Sequence, residues 1–180
     1  MHDVPEAGGA GLFLRRAFAF VLDGLVLLVL GFVLLAVTTA LLGPTVVLDL
    51  ERPAAPVVEV RMWRLFLNAA LLAALSGTYF VAAWTRSGST PGQHLLNLVV
   101  IASASPGARA SIGRASLRWA LMGAPLGLVA ALTVDLPLLF LAVSVASFGW
   151  FVVLVVTTAW GRTGRGLHDR LSGTIVTRRA

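Results

Sequence analysis

The chain has 180 residues, 58% of them hydrophobic and 12% charged, against roughly 45–50% apolar and about 25% charged residues in an ordinary soluble domain. That balance argues against a water-soluble globule and for a bilayer. The net charge of +6 rests on 14 arginines with no lysine, and the absence of cysteine excludes disulfides, thiolate metal sites and cysteine nucleophiles.

Residues 1–14 read as a cytoplasmic N-terminal segment. The opening "MHDVPEAGGAG" carries two acids and no basic n-region, so the first apolar run is expected to be a retained span rather than a signal peptide. A helix rises about 1.5 Å per residue, so crossing a ~30 Å hydrocarbon core takes about 20 apolar residues. Residues 17–42 meet this with one interruption, Asp23, and stop at Gly43-Pro44-Thr45. The polar stretch "DLERPAAPVVEVR" cannot span, and residues 65–84 form the second apolar run. The segment from Thr85 to Arg118 is polar again. It contains "NLVVIASASPGARASI", a β-branched run followed by a turn signal, which with "GTIVTRR" near the C-terminus predicts two short strands that pair loop to tail.

Trp119 to Trp160 would extend about 63 Å as one helix, twice the core thickness. The chain must fold back at "VDLP", giving third and fourth spans at about 117–134 and 137–160. The fold class predicted is an all-α membrane protein. It has four transmembrane helices, a short cytoplasmic loop or β-ribbon between spans 2 and 3, and a cytoplasmic C-terminal tail. The membrane domain covers residues 15–176, leaving 177–180 as a basic tail end. Trp63, Trp84, Trp119 and Trp160 fall at predicted span ends, where an interfacial aromatic belt would place them. The N-terminal flank, the Thr85–Arg118 loop and the tail hold eleven of the 14 arginines. Positive-inside reasoning therefore puts both termini in the cytoplasm.

Several motifs together resemble one family. Arg16 precedes Asp23 by seven residues in "RRAFAFVLD". "TRSGSTPGQHLLNLVV" follows the second span, "ASLRWAL" opens the third with Arg118, and "GRGLHDRLSGTIVTRR" closes the chain. In that order they resemble the RDD family of integral membrane proteins, named for one arginine and two aspartates, here Arg16, Asp23 and Asp169. Asn97-Leu98 stands where the family more often has Gly-Leu. The resemblance implies a multi-pass protein of the bacterial inner membrane, with transport proposed for the family but its ligands unknown.

Asp23 and Arg16 lie within about 20° on the helical wheel and roughly 10 Å apart along the axis. A charge at mid-span costs about 2.5–3.5 kcal/mol, so Asp23 needs a partner or a wet cavity. An arginine from another span or the loop is the expected counter-charge. Such a pair would brace the bundle; the alternative is an ion or proton site. Gly24 and Gly31 are expected to admit a neighbouring helix. Asp169 is expected to pair with an arginine, Arg16 or Arg118, with Arg165 and His168 in support. Adjacent helical residues point about 100° apart, so His168 and Asp169 should not share a ligand. Neither a metal site, a cofactor motif nor a catalytic constellation is legible, and the chain reads as a non-enzyme. A pI near 11.6 points to anionic lipid headgroups rather than nucleic acid as partner. Homo-oligomers or other membrane proteins are further candidate partners. Two functions follow: a small transporter or ion-handling module, or a non-transporting accessory protein that docks partners through its arginine-rich cytoplasmic face.

Overall fold

The computed structural model describes residues 10–49, 57–105, 107–161 and 164–179. Most of the expected N-terminal segment, the centre of the first loop (50–56), Arg162, Thr163 and Ala180 lie outside these residues. Helix α1 (Ala10–Leu42) begins ahead of the apolar run and contains it whole. Its many β-branched residues are poor helix formers in water. In hydrocarbon, however, every N–H and C=O must bond within its own segment, and that constraint decides for the helix.

An antiparallel ribbon of β1 (Val46–Asp49) and β2 (Val57–Val60) carries the chain to α2 (Met62–Arg86). This stretch, expected only not to span, holds the strand-forming pairs Val46-Val47 and Val57-Val58. Arg64 donates to the Pro44 carbonyl at 2.7 Å and Asn68 to the Thr45 hydroxyl at 3.0 Å, tying the end of α1 to the start of α2.

Beyond α2 come the short helix α3 (Pro91–Leu95) and strand β3 (Leu98–Ala102). Strand β4 (Thr174–Arg178) pairs antiparallel with β3, Val100 opposite Val176, so the loop and the tail form one ribbon. Asn97, just before β3, has φ 55, the left-handed region that favours glycine and that asparagine tolerates best among side-chain-bearing residues. Asparagine here thus holds a conformation that glycine would adopt without strain.

The third predicted span is not one straight helix. Helices α4 (Ile112–Leu121) and α5 (Ala124–Leu132) meet at a 50° bend. Gly123, at φ 91, and Pro125, in the first turn of α5, make the break. The Trp150 indole of α6 (Pro137–Ala159) donates to the Leu121 carbonyl at 2.7 Å, satisfying an acceptor at the bend. Helix α7 (Leu167–Leu171) then leads into β4. Three helices are long and apolar enough to cross a membrane, or four with the bent pair counted as one span. The protein is a mostly helical, multi-pass membrane protein.

Tight packing concentrates at one end of the bundle. Leu12 and Ala19 of α1, Phe80 and Trp84 of α2, Ala115 of α4 and Val176 of β4 share one buried cluster. The expected aromatic belt is only half present. Trp63 and Trp160 are exposed, but Trp84 is completely buried, and Trp119 donates to the Ser76 hydroxyl at 3.2 Å. Both indoles found polar partners inside the bundle, which an interfacial ring would otherwise find in headgroups. Of the two expected close-approach glycines, Gly31 lies against Leu72 while Gly24 faces open space.

Candidate functional site

Helix α1 presents Ala19 and Asp23, one turn apart, to the segment Thr90–Gly92. Asp23 is 1% exposed. Its carboxylate accepts from the Tyr79 hydroxyl at 2.7 Å, the Thr90 hydroxyl at 2.5 Å and the Gly92 amide at 2.9 Å. Hydrogen bonds to an ionised group contribute about 1.5–3 kcal/mol each, so three of them exceed the ~3 kcal/mol cost of a carboxylate at mid-span. The Gly92 amide reaches the carboxylate because no side chain intervenes. A Cβ there would lie 2.4 Å from the Ala19 carbonyl oxygen and 2.9 Å from the Asp23 carboxylate.

This corrects the expected counter-charge. Among the described residues no arginine pairs with Asp23. Neutral donors solvate the carboxylate without a second buried ion, whose desolvation would cost several kcal/mol. The signal for this was in the sequence. Thr90-Pro91-Gly92-Gln93 carries a capping-box spacing with proline at the first helical position, and the structure forms that box.

Arg16 instead donates to Asp169 and, at 2.5 Å, to the Gly164 carbonyl. Arg118 also donates to Asp169, and its Nη1 donates to the Thr174 hydroxyl at 2.7 Å. Asp169 accepts in addition from the Gly166 amide at 3.1 Å, capping its own helix. One carboxylate thus joins α1, α4 and α7, and through Arg118 it reaches β4. Burial pushes the Asp169 carboxyl up, but the guanidiniums of Arg118 and Arg16 outweigh it and hold it well below the usual carboxylate range. Burial, then the charge on Arg118, pushes His168 down to about 3, so its ring is neutral at pH 7. The His168 Nε2 lies 3.4 Å from both an Arg118 nitrogen and an Asp169 oxygen. The long Arg118 side chain reaches both of these neighbours, His168 and Asp169. Arg165 donates to the Thr174 carbonyl at 3.2 Å, supporting β4 rather than Asp169.

A chain of contacts joins the two carboxylates. The Gln93 side-chain oxygen accepts from the Thr90 amide at 3.1 Å and from the Trp84 indole at 3.0 Å. The Trp84 ring stacks on Phe80 at 5.1 Å, and the Arg118 guanidinium sits 4.9 Å from its centroid. Arg118 is therefore held by charge in its plane and by an aromatic face above it. Sequence reasoning singled out neither Tyr79, Thr90, Gly92 nor Gln93. Beside this chain lies a cavity of about 320 Å³ whose walls include Asp23, Arg16, Arg118 and His168 together with Phe20 and Leu154.

The family model described as RDD family matches residues 10–173. The chain belongs to the RDD family. No curated protein and no solved structure matches it. The matched region of this RDD protein contains Arg16, Asp23 and Asp169, together with the Thr90–Gln93 segment that receives Asp23.

Proposed function

We propose that this RDD protein is a small transporter or ion-handling module of the bacterial inner membrane, with both termini in the cytoplasm. The observation that carries the reading is the cavity, whose wall brings a buried carboxylate and two guanidiniums to one space between the helices. Two of the three donors to Asp23 are hydroxyls, which can rotate to release or receive a cation or proton, while the Gly92 amide stays fixed. Both carboxylates and the histidine are engaged in bonds that position helices, which supports a non-enzymatic role.

The test is proton flux into vesicles reconstituted with the protein, driven by a potassium diffusion potential and read with an internal pH dye. The wild type is expected to exceed empty vesicles. Val21→Trp, at the cavity wall, is expected to lose that excess while melting as the wild type does. A second reading, an accessory protein docking partners through its arginine-rich face, is favoured by the complete bonding of Asp23. It gains if the folded wild type carries no flux.

A further inference from the structure

Two residues lining the cavity carry buried nitrogens that the site described above does not use. Arg118 is 3% exposed and His168 8% exposed, and both line the cavity. The Nε of Arg118 and the Nδ1 of His168 are buried and have no partner among the described residues. The His168 Nε2 lies 3.4 Å from an Arg118 nitrogen, which only donates, and 3.4 Å from the Asp169 Oδ1, which only accepts, so either ring tautomer finds a partner at Nε2. In the tautomer with its proton on Nδ1, His168 is a second buried donor without an acceptor. Leaving such groups unpaired costs about 1–3 kcal/mol each, more for the charged one.

Charge and shape narrow what would satisfy them. Arg16, Arg118 and Asp169 sum to one positive charge beside the neutral His168. Asp23 lies about 10 Å further along α1 by helical rise, and its negative charge already faces three donors. The opposite character prevails at the rim. Phe20 of α1 and Phe151 of α6 line the cavity and are 50% and 51% exposed, so aromatic rings stand between it and the apolar outer surface of two spans. A site lined by guanidiniums and an imidazole together with half-exposed aromatic rings matches an amphiphile rather than a free ion.

We infer that this cavity takes the anionic oxygen head of a single-chain amphiphile arriving laterally from the bilayer, its oxygens accepting from the Arg118 Nε–H and the His168 Nδ1–H. The inference rests on the reading of the cavity as a ligand site, but not on flux through it.

The test uses the full chain in phosphatidylcholine nanodiscs with ¹⁵N-labelled histidine. The protein has three histidines, so His2→Gln with His94→Gln leaves His168 as the sole reporter. Titrated laurate is expected to shift the Nδ1–H resonance saturably. Acetate and inorganic phosphate at the same concentrations are expected to leave it in place, and dodecanol to bind at least about tenfold more weakly. Val155→Trp, at the cavity wall, is expected to weaken laurate by about tenfold. No saturable shift with laurate overturns the inference, as does an equal response to acetate, which would make this a free-anion site. Equal binding of dodecanol overturns the anionic head. Laurate binding in a protein that carries no proton flux would sink the transport reading and leave this one standing; flux without laurate binding would do the reverse.

Discussion

At Gly92 an added methyl group has no room, since its Cβ would collide with the Ala19 carbonyl and with Asp23. Overpacking of this kind costs about 1–3 kcal/mol, and here it would also pull the amide off a buried carboxylate. Gly92→Ala should therefore lower the melting temperature in detergent by several degrees, whereas Gly24→Ala, with open space around it, should leave it unchanged. Equal effects at the two positions would refute the close approach. His168 gives a second residue-scale prediction. It faces Arg118 of α4, Arg16 of α1 and Asp169 of its own helix. Its pKa falls from 6.5 to about 3 on folding, so below the unfolded value the unfolded chain takes up a proton that the folded one refuses. Its effect on stability is nil above pH 7 and grows unfavourable between about pH 6.5 and pH 3, by up to about 1.4 kcal/mol per pH unit. Asp169, shifted the other way, keeps its full contribution above about pH 4 and loses it only in stronger acid. Between pH 7.5 and pH 5 the melting temperature should fall in the wild type and stay flatter in His168→Asn. Parallel curves would refute the burial of a neutral ring.

At the scale of elements, the long apolar helices were legible because bilayer thickness and backbone self-satisfaction leave a run such as residues 17–42 no other option. The strands β3 and β4 were legible from their β-branched residues. The break between α4 and α5 was not read, although Gly123 and Pro125 stood in plain view, because hydropathy is blind to backbone geometry. The partner of Asp23 was missed for a different reason: opposite charge was sought where hydroxyls and an amide suffice. Arg16 and Arg118 do reach Asp169, and there the arithmetic of paired charges applies. Removing one member of a buried ion cluster leaves the others uncompensated, at about 3–5 kcal/mol. Asp169→Asn should detach α7 and β4 from α1 and α4 while the spans still insert. Trypsin should then cut sooner at Arg170, Arg178 and Arg179. An unchanged cleavage rate would mean that the pairing of β3 with β4 alone holds the tail.

The whole molecule is arranged the reverse of a soluble domain. Its most deeply buried side chains include Asp23, Thr90, Asp169 and Thr174, while Phe18, Phe32, Leu138 and Phe148 point outward. Hydrocarbon solvates the exposed apolar faces at no cost, so the interior is free to be held by polar bonds and close backbone approach. Those bonds gather at one end. Helix α2, about 38 Å long by its rise per residue, separates the Asp23 and Asp169 clusters from the β1–β2 ribbon. Most of the arginines lie at the carboxylate end, on the α1 start, the segment after α2, and the tail. If arginine placement sets orientation, that end faces the cytoplasm and the β1–β2 ribbon the opposite side. A reporter active only in the cytoplasm should give signal when fused after Ala180 or inside residues 103–110, and none when inserted within residues 53–56. The reverse pattern would invert the protein. It would place the two charge clusters on the outer side, where the membrane potential would act on the cavity with the opposite sign.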